Sequence, residues 1–201
     1  MSTVHISYST QSAHYPQIEF SKSMSQDGST ALHALLSDWQ SQGRAGTHQG
    51  QKPNQGQFYS EGAPGRFGGD TYAFSIDKGY AFSATGELSY YLGFGPGAGR
   101  GTPHTLHGKV EGLELGLTLG AGGKVANPFL SLNFETPITG SLAEGHGGDV
   151  HKVIWGLMNA NTKPLDDMLE DVYGINVEAS LIDLGTPLVG IAGVDDGLLA
   201  A

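Results

Sequence analysis

Strand-length segments rich in aromatic and β-branched residues follow one another between residues 58 and 136, and glycine clusters separate them. In chain order these segments read FYS, DTYAFSI, YAFSAT, ELSYYLGF, HTLHGKVEGLELGL and FLSLNFE. Glycine supplies 32 of the 201 residues, more than twice its ordinary share of roughly 7%. Short strands that succeed one another across glycine turns favour an antiparallel sheet over alternating strand–helix units. An additional strand is predicted over 3–9, where TVHISYS alternates apolar and polar residues.

Apolar residues at helical spacing predict one helix before this run of strands and further helices after it. The early helix has Ser29 or Thr30 as its predicted N-cap and ends near Gly43. The later helices are predicted over 148–160, 163–173 and 176–184.

This order of elements predicts a single α+β domain, an antiparallel β-sheet with helices packed on one face. We assign the domain to residues 1–185. Residues 186–201 are small, apolar and weakly periodic, and they predict a flexible C-terminal tail.

Charge and cysteine content narrow the classes of partner. Ten basic against twenty acidic residues leave a net charge of −10, which disfavours a nucleic-acid surface because such a surface needs lysine and arginine against phosphates. With no cysteine in the chain, a metal must rely on histidine, tyrosine, carboxylate or methionine. The N-terminus MSTVHISYST has neither the basic nor the apolar region of a secretory signal peptide. No apolar run approaches the ~18 residues of a membrane span, so we expect no membrane insertion.

Eight histidines are the conspicuous polar resource. His48 lies within the glycine-rich segment 43–57, where it is either an exposed loop residue or a metal ligand on a mobile arm. His104 opens a predicted strand, where a structural role is the simpler interpretation. The spacing of His146 and His151 differs from that of a helical zinc pair.

Two adjacent tyrosines lie on the predicted strand ELSYYLGF, where alternation sends them to opposite faces. Tyr90 shares its face with Leu88 and Leu92, so by alternation alone it is a core tyrosine, whereas Tyr91 lies on the other face. The chain has no G-x-S-x-G elbow, Walker loop or strand-to-helix G-x-G-x-x-G. These absences argue against the common enzyme classes.

Several motifs occur together in one order: ISYST, LLSDWQ, GELSYYL, HTLHGKVEGLELG, GDVHKVIWGLM and a terminal DDGLLAA. With these motifs the sequence resembles the HasA-type haemophores, small proteins that Gram-negative bacteria secrete to capture haem. The resemblance implies a HasA-like haemophore fold that binds one ferric haem b per chain. DDGLLAA resembles the C-terminal signal by which this family leaves the cell through a type I ABC exporter.

By position, the resemblance implies His48 and Tyr90 as the axial ligands of the haem iron. His104 matches the family's hydrogen-bond partner of the tyrosine, and Trp155 and Met158 match walls of the haem pocket. Thirteen residues separate Tyr90 from His104, which is longer than the family spacing. His107 replaces a usual aromatic residue and is a second candidate for the tyrosine's partner or a spare ligand.

The implied function is extracellular haem scavenging for iron acquisition, without enzymatic activity. Its implied partners are a TonB-dependent outer-membrane haem receptor, host haemoproteins as a haem source, and the type I exporter. The C-terminal export signal of the chain is implied to be of the uncleaved type. Two other functions remain open from the residues alone. One is a type I-secreted, glycine-rich surface protein without cofactor, and the other is a small hydrolase using Asp149 and His151.

Overall fold

The computed structural model describes residues 2–9, 29–43, 56–76, 79–94 and 99–187. In this part of the chain, eight strands form one sheet in the order β3-β2-β4-β5-β6-β7-β1-β8. The strands are β1 Val4–Tyr8, β2 Gln57–Ser60, β3 Ala63–Gly65, β4 Gly68–Ile76, β5 Tyr80–Tyr91, β6 Thr105–Gly116, β7 Leu130–Gly140 and β8 Thr186–Pro187. Neighbouring strands are antiparallel except for β1 and β8, which pair in parallel.

Helices occur at the four predicted places. They are α1 Leu32–Ser41, α2 Asp149–Met158, α3 Lys163–Asp171 and α4 Leu181–Leu184. Two 3₁₀ turns, Ala121–Gly123 and Leu142–Gly147, complete the elements of the described residues. The predicted α+β class is confirmed.

The predicted N-cap of the early helix is wrong. The N-cap is Ala31, which makes no side-chain capping bond, rather than Ser29 or Thr30. Two N–H groups of the first turn donate instead to the backbone carbonyls of Val177 and Ala179, at 2.8 and 3.1 Å. A distant chain segment therefore satisfies donors that a local side chain satisfies in most helices.

The core lies between one sheet face and the helices, and Trp39 of α1 shows how they join. Its indole is fully buried and stacks on the Tyr80 ring with centroids 4.0 Å apart. Its Nε1 donates to the carbonyl oxygen of Gly116 at 2.9 Å, so the one polar atom of the indole has a partner. Burying this large aromatic ring packs α1 against the sheet where β5 begins and β6 ends.

The two segments YAFSAT and ELSYYLGF, predicted as separate strands, form the single strand β5. Gly86 joins them at φ +140°, and a Cβ atom there would meet the carbonyl oxygen of Lys109 at 2.3 Å. Only glycine fits where the two backbones approach this closely. In the sequence Gly86 resembles a turn between two strands, but in the structure it lies at an irregularity within one strand.

The register between β5 and β6 shifts by one residue at that point. Thr85 pairs with Gly112 but Gly86 pairs with Val110, so Glu111 of β6 is the extra residue. An extra residue exchanges the two faces of a strand. As a result the even-numbered Leu106 and Val110 are buried before the bulge, and the odd-numbered Leu113 and Leu115 are buried after it.

The first two residues of the predicted tail, Thr186 and Pro187, pair with β1. Residues 188–201 lie outside the described residues, so the boundary at residue 185 stays a prediction. None of the helices in the described part of the chain has the length and hydropathy needed to cross a membrane.

Candidate functional site

A cleft of about 360 Å³ opens between helix α2 and the ends of strands β2, β4, β5 and β6. Its volume falls in the range of small-molecule sites. Most of its lining is aromatic or aliphatic. The lining residues are Gly56, Phe58, Arg66, Phe67, Tyr72, Tyr90, His104, Leu106, Trp155 and Met158.

Tyr90 and His104 meet in this cleft. Tyr90 Oη lies 2.6 Å from His104 Nδ1, a short distance for a hydrogen bond between a phenol and an imidazole. Tyr90 is the second-last residue of β5, and its ring packs against the hydrophobic core. The two side chains therefore meet although thirteen residues separate them in the sequence.

The protein environment by itself disfavours a charged Tyr90. Burial raises the pKa of the Tyr90 phenol above its ordinary value, because desolvation penalises the phenolate. A cation bound to Oη and a hydrogen bond that stabilises the phenolate both act in the opposite direction. Burial alone therefore keeps the Tyr90 phenol protonated at neutral pH.

Tyr91 takes no part in the cleft. It follows Tyr90 along β5, so its side chain lies on the other sheet face, and its hydroxyl accepts a hydrogen bond from the backbone N–H of Arg100 at 3.1 Å. The predicted separation of the two tyrosines is confirmed. Tyr90 is not the fully buried core residue that alternation alone indicates, because it is only partly buried at the edge of the cleft.

His107 also lies away from the cleft. It pairs with Ser89 across β5 and β6, whereas Tyr90 pairs with Leu106. Directly opposed residues share a face, so His107 lies on the face opposite to Tyr90. Of the two candidate histidines, only His104 contacts the tyrosine.

Helix α2 supplies the wall that faces Tyr90. Trp155 is 40% exposed and, like Met158, lines the cleft. The sulfur of Met158 accepts a hydrogen bond from Tyr72 Oη at 3.1 Å. This contact fixes the methionine against β4, and desolvation raises the pKa of the Tyr72 phenol far above its usual value, so this hydroxyl stays a donor.

Six of the ten residues that line the cleft are not among the predicted site residues, and Tyr72, Arg66 and Phe67 are three of them. Tyr72 belongs to a strand whose alternation signals only a core position. Arg66 and Phe67 lie in the turn between β3 and β4, with the guanidinium 4.9 Å from the Phe67 ring centroid. In the sequence, the only sign of a site at these two residues is that an isolated basic residue lies next to an aromatic one in a glycine-rich segment.

His48 lies outside the described residues. So do the other residues from 44 to 55, and the described chain resumes at Gly56 on the edge of the cleft.

The pair proposed for a hydrolase is not assembled. His151 Nδ1 accepts from the backbone N–H of Leu106 at 3.1 Å, and the Asp149 carboxylate pairs with Lys152 Nζ at 3.3 Å. Each residue therefore has a separate structural partner.

The profile of the family of heme-binding protein A, HasA, matches residues 1–196. The chain belongs to the HasA family. It is 30% identical over 189 residues to the haemophore HasA of Serratia marcescens, covering 87% of this chain and 94% of that protein. Membership in the HasA family makes the chain an extracellular haem-binding carrier rather than an enzyme, and it disfavours the cofactor-free surface protein.

Solved HasA structures share the fold. The holo haemophore HasA from Yersinia pestis matches with a TM-score of 0.65 and 24% identity, over 92% of this chain and 97% of that one. An apo structure of HasA from Yersinia pestis matches with a TM-score of 0.62 and 26% identity, over 92% and 95%. The predicted HasA-like haemophore fold is confirmed by these matches.

Proposed function

We propose that this HasA-family chain captures one ferric haem b in the cleft, with Tyr90 and His48 as the axial ligands. The observation that carries the proposal is the 2.6 Å contact of Tyr90 Oη with His104 Nδ1, inside a cleft with mostly apolar walls. The contact orients the phenol oxygen and gives it a hydrogen-bond partner, which is the usual arrangement around a metal ligand.

The residues present fit ferric haem chemically. A tyrosinate oxygen is a hard, anionic donor, and such donors favour Fe(III). The iron charge and the hydrogen bond to His104 together offset the burial that raises the pKa of Tyr90. The aromatic and aliphatic walls suit an apolar macrocycle, and Arg66 on the rim suits a haem carboxylate.

His48 is proposed as the second axial ligand because chain length permits it. It lies eight residues before Gly56, which borders the cleft, and eight residues span at most about 26–29 Å. A histidine on a long segment can join and leave the iron without disturbing the sheet. Such an arrangement suits a carrier that must hold its cargo and later release it.

The first test is a titration of the haem-free protein with ferric haem, followed by absorbance. We expect a sharp endpoint at one haem per chain and a six-coordinate Fe(III) spectrum. The same endpoint with a five-coordinate spectrum would remove His48 from the ligand set and leave Tyr90 in place. Absence of saturable binding would overturn the proposal.

Replacing His48 by alanine is expected to change the iron's spin state more than the haem affinity. The anionic Tyr90 ligand and the cleft walls remain, so we expect the Kd to rise less than on loss of Tyr90, while the spectrum becomes five-coordinate. His5→Ala is the matched control, because His5 is an exposed histidine of β1 that pairs with Glu135 at 2.6 Å. An unchanged spectrum in His48→Ala would show that another group binds the sixth position.

Delivery and export complete the proposal. We infer that haem, taken in part from host haemoproteins, passes to a TonB-dependent outer-membrane receptor. The terminal DDGLLAA is proposed as the signal for a type I ABC exporter. Its resemblance to the family's export signal supports this route.

A further inference from the structure

Beside the haem cleft, across Trp155 and His104, lies a second cavity of about 290 Å³. His146 and His151 line it, and the proposed haem ligation uses neither of them. Their rings stack with centroids 4.4 Å apart. The His151 ring continues the stack onto Trp155 at 5.7 Å, so the two histidines adjoin a wall of the haem cleft.

Each of these histidines holds the backbone on one side of His104. His146 Nε2 lies 2.9 Å from the carbonyl oxygen of Pro103, and because a carbonyl only accepts, Nε2 donates. On the other side, the backbone N–H of Leu106 donates to His151 Nδ1 at 3.1 Å. The two bonds therefore bracket the residue that contacts Tyr90.

The protonation state of His151 agrees with its role as an acceptor. The residue is 5% exposed, and burial, with a smaller contribution from the charge of His146, lowers its pKa to about 4. A neutral imidazole with its proton on Nε2 leaves Nδ1 free to accept. The bond to the Leu106 N–H therefore persists at neutral pH.

The bracketed turn needs such support because its backbone is strained. His104 has φ +60°, a left-handed conformation that residues with a side chain adopt rarely. Inside the turn, Thr105 Oγ1 donates to the carbonyl oxygen of Thr102 at 2.7 Å. The turn also packs on Leu142–Gly147, where a Cβ on Gly145 would meet Thr102 Oγ1 at 2.6 Å.

We propose that His146 and His151 are positioning residues for haem binding: they clamp the 103–106 backbone so that His104 Nδ1 stays on Tyr90 Oη. The proposal rests on Tyr90 as the haem ligand, and it adds that haem release is set partly by two residues outside the haem cleft. The clamp acts through His104 and has no contact of its own with the haem.

The test compares His151→Asn with His151→Leu. The asparagine side chain places an acceptor oxygen near the position of Nδ1, whereas leucine keeps bulk and leaves the Leu106 N–H unpaired. We expect His151→Leu to release haem to a competing acceptor about tenfold faster, and His151→Asn to stay within about twofold of the natural protein. The tyrosinate-to-iron charge-transfer band should shift in the leucine variant and return in the asparagine variant.

A double-mutant cycle separates the clamp from a merely structural role. In a His104→Ala background, His151→Leu should have no further effect on the release rate, because its route to Tyr90 is gone. An equal effect with and without His104 would overturn the proposal. An equal increase in the haem release rate in His151→Asn and His151→Leu would overturn it as well.

A measurement on haem-free protein keeps the two proposals distinguishable. The ¹⁵N resonance of His104 Nδ1 should move towards that of an unbonded nitrogen in His151→Leu and return in His151→Asn. Should His151→Leu fail to fold, the exposed His146 provides the same comparison, with His146→Ala breaking its bond and His146→Gln restoring a donor. Unchanged ¹⁵N shifts would overturn the clamp, whereas failure of the natural protein to bind haem would overturn only the haem ligation.

Discussion

Replacing Tyr90 by phenylalanine is expected to raise the Kd for ferric haem at least about 100-fold, because changes one shell further from a metal already cost 10–100-fold. The substitution removes one oxygen and keeps the ring that packs against the core. The tyrosinate-to-iron charge-transfer band should disappear with it. Absorbance titration measures the affinity, and the visible spectrum reports the ligand.

Tyr91→Phe is the matched control for this variant. Tyr91 is the next residue of the same strand, and its hydroxyl accepts from the Arg100 backbone outside the cleft. We expect its Kd to stay within about twofold of the natural protein, as for substitutions remote from a site. A similar loss of haem affinity in the two variants would show that neither hydroxyl is the ligand.

Replacing His104 by alanine is expected to speed haem release about 10- to 100-fold, the usual effect of removing the hydrogen-bond partner of a metal ligand. Tyr90 stays in place but loses the partner 2.6 Å from its oxygen. Burial still raises the pKa of Tyr90 in this variant. The charge of the iron must then stabilise the phenolate without help from a hydrogen bond. Transfer of haem to a competing acceptor measures the release rate.

His107→Ala is the control for that experiment, since His107 lies on the opposite sheet face from Tyr90. It should leave the release rate within about twofold. His104→Asn, which keeps an acceptor near the Nδ1 position, should recover part of the loss. If His107→Ala were the more harmful change, the register of β5 against β6 would be wrong at this end of the sheet.

Local pattern was enough to predict the elements. The apolar stripe of Val150, Val153 and Ile154 predicts helix α2, and all three residues are buried. Alternation along ELSYYLGF separates Tyr90 from Tyr91. Both results depend only on neighbouring residues, because the period of a helix or strand fixes which side chains share a face.

Alternation failed where distant backbones meet. Counting back from Leu113 and Leu115 along β6 places His107 on the core face and Leu106 on the other. The extra residue Glu111 reverses that assignment, so Leu106 lines the cleft and His107 does not. The reversal depends on the register of β6 against β5, which residue types along one strand do not encode.

Residue types and their periods were enough to locate most of the strands and helices, and to identify the tyrosine and histidines available to bind a ferric ion. It also carried the family motifs that named Tyr90 and His104. The three-dimensional fold was needed to show that these two side chains lie 2.6 Å apart, and that His146 and His151 hold the backbone on either side of His104. The reason is physical: a side chain's chemistry and period are local properties, whereas contact across thirteen residues depends on how turns and strand registers close in space.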